Sequence, residues 1–200
     1  MASRGRSIFW ENEKMNETAR FQRLLAASSV ALSMTLLAHS AIAASGHVHG
    51  QAELEVAVEG STLTVTLRSP LDSLLGFERA PRTAAQKAAA ETLLQRLRDP
   101  AALFKPSAAA SCTPASTEID APVLGLAPAG AAGTKPADKD AHAELVSTMR
   151  FRCEQPAQLR ALDVALFEQY RRLHRIEARI VGPRGQSSAR LTPARRTLNW

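Results

Sequence analysis

His47 and His49 stand two residues apart in Ser-Gly-His-Val-His-Gly, residues 45–50. Neutral imidazole is the side chain most often found on metal ions near pH 7. On an extended segment residues two apart point to the same side, so both rings can reach one ion. An H-x-H pair alone fits two readings, a metal site or two exposed histidines with no ligand. Zinc needs more than two ligands, four protein groups in a closed site or three and a water in an open one. His142 and Glu144 repeat the two-residue spacing later in the chain. They complete a set of four if the strand beginning at His142 lies beside the one beginning near Gln51; otherwise Glu144 is an ordinary solvent-facing carboxylate. A second metal chemistry depends on processing. Cleavage after Ala44 would expose Ser45-Gly46-His47, whose amine, two amides and imidazole form a square-planar set suited to copper or nickel.

The other reactive residues point to structure. Cys112 and Cys153 are the two cysteines of the chain. An even pair in an oxidising compartment is expected to form a disulfide, and no C-x-x-C spacing favours metal instead. The bridge would close a loop of roughly forty residues, worth about 4 kcal/mol on chain-entropy grounds. His174 sits among Arg171, Arg172 and Arg175, whose charges oppose metal binding. Glu78 and Arg79, in Gly-Phe-Glu-Arg-Ala-Pro, read as a structural turn before a helix. There is no G-x-S-x-G, H-E-x-x-H or phosphate loop, so the expectation is a binding module and not an enzyme.

Residues 24–38 form an uncharged apolar run, flanked upstream by Arg20 and Arg23 and downstream by Ala41-Ile42-Ala43-Ala44. A basic flank, a short apolar core and an A-x-A site describe a secretory signal peptide over residues 1–44. The run is shorter than the ~20 residues that span a bilayer. No membrane span is therefore expected after cleavage, and residues 1–14, ahead of Met15, read as an upstream extension. Residues 45–200 then form one periplasmic domain. With five basic and three acidic residues in the leader, this domain keeps 20 and 16, a net charge of +4. So mild a charge, on an exported chain, argues against a nucleic-acid partner.

The elements that must position these residues are mostly strands. Leu54, Val56 and Val58, then Leu63, Val65 and Leu67, alternate with polar residues on either side of Glu59-Gly60, the pattern of a β-hairpin over residues 51–70. Thr83 and Gln86 form a capping box that opens a helix, which Asp99-Pro100 ends. Ala84, Ala85, Ala88, Ala89, Leu93, Leu94 and Leu97 give it an apolar stripe to lay on the sheet. Residues 121–141, rich in Ala, Pro and Gly, read as a flexible insert within the disulfide loop. Leu145, Ser147, Met149, Phe151 and Cys153 share one face of an extended segment, residues 162–170 read as a short strand and turn, and Gly182-Pro183-Arg184-Gly185 centres a second hairpin. The expected fold is α+β, a mostly antiparallel sheet of about six strands with one main helix packed on it.

In order, HVHGQAELEVAVEG (47–60), SPLDSLLGFERAP (69–81), DPAALF (99–104), MRFRCEQPAQLRALDVALFE (149–168) and VGPRGQSSARLTP (181–193) resemble the ZrgA-like periplasmic zinc-uptake proteins of Gram-negative bacteria. The resemblance covers residues 47–193. It implies an exported zinc-binding protein that helps to deliver zinc to a membrane importer, with His47, His49 and Gly50 matching the opening H-x-H-G. Two departures stand out. Residues 121–141 lack the histidines that the family usually carries before the second-cysteine strand, and Arg79 stands where a histidine is common. Both reduce the capacity for zinc. They keep open a second reading, an envelope interaction module that docks on an importer and binds no metal.

Overall fold

The computed structural model describes residues 48–126 and 143–200. The expected leader, His47, His142 and most of the insert expected at 121–141 lie outside these residues. Within them the chain runs β1 (Gln51–Glu59), β2 (Thr62–Pro70), α1 (Leu71–Leu75), α2 (Ala84–Leu97), α3 (Pro100–Leu103), β3 (Phe104–Pro106), β4 (Cys112–Asp120), β5 (Glu144–Cys153), β6 (Ala161–Val164), α4 (Leu166–Gln169), β7 (Arg175–Gly182), β8 (Gly185–Leu191) and β9 (Thr197–Asn199).

Both expected hairpins are present. β1 and β2 pair antiparallel up to Glu59↔Thr62, across a two-residue turn in which Gly60 takes φ +55°. β7 and β8 close in the same way at Gly182↔Gly185. The alternating residues face where the pattern put them: Leu54, Val56, Leu63, Val65, Leu67, Leu145, Met149 and Phe151 are all buried. Together with Ile176, Ala178 and Ile180 they form the inner face of a six-stranded sheet in the order β4-β5-β2-β1-β7-β8. α1, α3, α4 and a separate three-stranded sheet, β3-β6-β9, contribute Leu71, Leu74, Leu103, Phe104, Leu162, Leu166 and Leu198 to the same core.

Two expectations need correcting. The large sheet is mixed, because β1 pairs parallel with β7 from Gln51↔Arg175 to Ala57↔Val181. A parallel neighbour needs a long crossover, and here the crossover includes every element from β2 to α4. The main helix α2 also differs from its expected role. Its capping box forms as read, with Gln86 N–H donating to Thr83 Oγ1 at 3.2 Å and Thr83 N–H donating to Gln86 Oε1 at 3.3 Å. Only Ala90, Leu93 and Leu97 of this helix are buried. It packs against α1 and α3, leaving Ala84, Ala85, Ala88 and Ala89 exposed. Small alanine side chains cover too little area to fix which face turns inward, so the leucines decide it.

Cys112 and Cys153 are directly opposite on β4 and β5 and form a disulfide with an S–S distance of 2.01 Å. Of the expected insert, residues 121–126 carry a short 3-10 turn (Pro122–Leu124) and a bridge between Ala121 and Leu126. Among the described residues no helix is long and apolar enough to cross a membrane.

Candidate metal centre

The chain enters β1 through a tight turn, closed by Gln51 N–H donating to Val48 O at 3.1 Å. Gly50 occupies the turn with φ +76°, a left-handed conformation that favours glycine. A Cβ there would sit 3.0 Å from Arg172 O and 3.0 Å from His174 Cδ2, so a side chain would be crowded as well as strained in backbone angle. Gly50 is also held on both backbone groups. Its N–H donates to Ser73 Oγ at 2.9 Å, and its carbonyl accepts from His174 N at 2.8 Å and Arg175 N at 3.2 Å. Ser73, fully buried on α1, donates in turn to Gln51 O at 3.1 Å. The residue before Gly50 is therefore presented from a clamped support, between α1 and the start of β7.

That residue is His49, whose side chain is 60% exposed and lies between two carboxylates. Its Nε2 is 3.2 Å from Glu78 Oε1, and its Nδ1 is 3.8 Å from Asp72 Oδ2. Asp72 belongs to α1 and is only 15% exposed. Arg172 braces it twice, with Nη2 donating to Oδ1 at 3.3 Å and Nε donating to the Asp72 carbonyl at 3.2 Å. α1 ends at Gly76, in a left-handed conformation at φ +82°, with its N–H donating to Asp72 O at 2.9 Å. The Arg172 side chain lies over this glycine, 3.4 Å from where a Cβ would be. This end to the helix, a left-handed glycine cap, turns the chain so that Glu78 faces His49. The segment around Glu78 and Arg79 is thus a turn, as expected, and it also brings a carboxylate to the histidine.

His174 does not share this arrangement; it is exposed, and its Cδ2 packs where Gly50 lacks a side chain. Glu144 begins β5 opposite Pro70 and pairs with Arg68 at 3.8 Å. The expected neighbouring of the β1 and β5 strands is not what the structure shows. β2 lies between them, and their first residues share one end of the sheet, roughly 10 Å apart at two strand spacings. Ala143, the residue after His142, closes that end by accepting a hydrogen bond from Leu71 N at 2.8 Å. Among the described residues no three His, Cys, Asp or Glu side chains converge on one point.

Asp72 was not singled out from the sequence, and Glu78 was read only as part of a turn, because 23 and 29 residues separate them from His49 and no local spacing connects them. Their one sequence sign was their place in SPLDSLLGFERAP, part of the resemblance. The profile of the ZrgA family of zinc uptake proteins matches residues 46–200. The chain belongs to the ZrgA family. The match begins one residue before His47 and takes in both carboxylates, both cysteines and every strand of the two sheets. Membership of ZrgA gives the chain a role in zinc uptake. No curated protein matched the chain.

Proposed function

We infer that the protein is a periplasmic zinc-binding accessory of zinc uptake, holding the ion through His47 and His49 and passing it to a membrane importer without chemistry of its own. The observation that carries this reading is His49 itself. Its ring is solvent-accessible, sits on a turn clamped by Gly50 and Ser73, and has a carboxylate at 3.2 Å from Nε2. His47 precedes it by two residues and is the other histidine of the H-x-H pair. His142 and Glu144 are the reserve ligands, since Ala143 lies beside the helix that carries Asp72.

The leader-like residues 1–44 support export, and the oxidised Cys112–Cys153 pair suits the periplasm. Zinc titration of the purified protein by calorimetry, beside a His47→Ala/His49→Ala double variant, tests the reading. The expected result is one zinc bound by the parent protein and a loss of at least a hundredfold in affinity in the variant. Equal binding by the two proteins would refute these ligands. Retained binding to importer-containing membranes by a protein that takes up no zinc would favour the interaction module instead.

A further inference from the structure

We propose that Glu78 is a zinc ligand alongside His49, that His49 coordinates through Nε2, and that Asp72 is the positioning residue on the other ring nitrogen. This rests on the zinc reading above and specifies its chemistry. The first argument is distance. A zinc ion 2.0–2.2 Å from each of two tetrahedral ligands holds the donor atoms about 3.3 Å apart. His49 Nε2 and Glu78 Oε1 stand 3.2 Å apart, so an ion fits against both with little movement of either side chain.

The second argument is the partition of the ring. A metal-bound histidine commonly donates its other N–H to a carboxylate, which fixes the ring's orientation and strengthens it as a ligand. Nδ1 of His49 has Asp72 Oδ2 at 3.8 Å, beyond hydrogen-bond length but reached by a shift of about 1 Å. Arg172 holds the other oxygen of Asp72 and its backbone carbonyl, which keeps the free oxygen aimed at the ring. The distances assign the roles: 3.2 Å at Nε2 matches two ligands of one ion, and 3.8 Å at Nδ1 does not. Mixed nitrogen and oxygen ligands of this kind suit zinc.

The test measures zinc affinity by competition with a chromophoric chelator for the parent protein and the variants Glu78→Gln, Asp72→Asn and Glu55→Gln, with folding checked by thermal unfolding. Glu55, on the open face of the sheet, controls for the loss of one negative charge. Glu78→Gln is expected to weaken zinc binding by about a hundredfold or more, Asp72→Asn by about ten- to a hundredfold, and Glu55→Gln by less than about twofold. A second measurement needs no variant: ¹⁵N shifts of the imidazoles in the zinc-loaded parent protein identify the metal-bound nitrogen, expected to be Nε2 of His49. Zinc on Nδ1, or a folded Glu78→Gln variant that binds like the parent, overturns this assignment while leaving the zinc reading intact. A parent protein that binds no zinc, or one whose double-histidine variant binds equally well, overturns both.

Discussion

Replacing Ser73 with alanine removes one hydroxyl and tests whether the turn beneath His49 is held as described. Ser73 Oγ accepts from Gly50 N–H at 2.9 Å and donates to Gln51 O at 3.1 Å, and the residue has no solvent exposure. Alanine fits the space but leaves a buried amide without its acceptor, at about 1–3 kcal/mol, and deletes a second hydrogen bond worth about 1 kcal/mol. A loss of about 3 kcal/mol is expected, which for a domain of this size lowers Tm by roughly 6–12 °C. Equilibrium urea unfolding measures it directly. Zinc affinity should fall by about tenfold, because loosening the support of a ligand acts like losing its orienting partner.

Ser107→Ala supplies the control. Its hydroxyl accepts from Arg160 N at 3.0 Å and Ala161 N at 2.9 Å, beside the small sheet. It should cost comparable stability and leave zinc affinity unchanged. A Ser73→Ala loss below about 0.5 kcal/mol, or equal weakening of zinc binding by both variants, would refute the reasoning.

Gly50→Ala must place a side chain at φ +76° and 3.0 Å from Arg172 O; a stability loss of at least 1–2 kcal/mol is expected, together with weaker zinc binding, read by the same unfolding and competition assays. Cys112→Ser/Cys153→Ser opens a 41-residue separation and should cost about 4 kcal/mol in urea unfolding, with the inner sheet face otherwise unchanged. Leu93→Ala on α2 should cost about 2–5 kcal/mol, whereas Ala89→Ser on the same helix should stay within about 0.5 kcal/mol, since Leu93 is buried and Ala89 is exposed.

Tyr170 is the single tyrosine of the chain, so absorbance near 295 nm follows it alone. Burial holds its phenol above the ordinary 10.0, and the Arg96 guanidinium pulls the other way. The folded state therefore keeps its proton where the unfolded state has lost it, and stability that is complete below pH 10 declines as pH rises beyond it. Arg96→Met should move the titration to still higher pH, and a shift to lower pH would contradict the assignment.

Much of the sheet was legible from residue order alone. The alternation of Leu54, Val56 and Val58 with Glu53 and Glu55, and of Leu145 to Cys153 with Arg150 and Arg152, sets which side of each strand is buried, because side chains two apart share a face. Glycines at 60, 182 and 185 marked the hairpin turns, Thr83 and Gln86 the start of α2, and the two cysteines their own pairing. His49 could likewise be singled out as a candidate ligand from its type and its spacing from His47. All of these are local properties, written within a few residues of one another.

Tertiary structure decided what lies across long separations. Nothing in the period of β7 says whether it pairs with β1 parallel or antiparallel; that follows from how the intervening chain packs back over the sheet. The same folding brings Ser73 under Gly50, Arg172 onto Asp72 and Glu78 against His49, over separations of 23 to 100 residues. It also puts β2 between the starts of β1 and β5, which places Glu144 beside Arg68. Histidine type and spacing proposed a ligand, and the close approach of distant backbones decided which carboxylates could stand beside it.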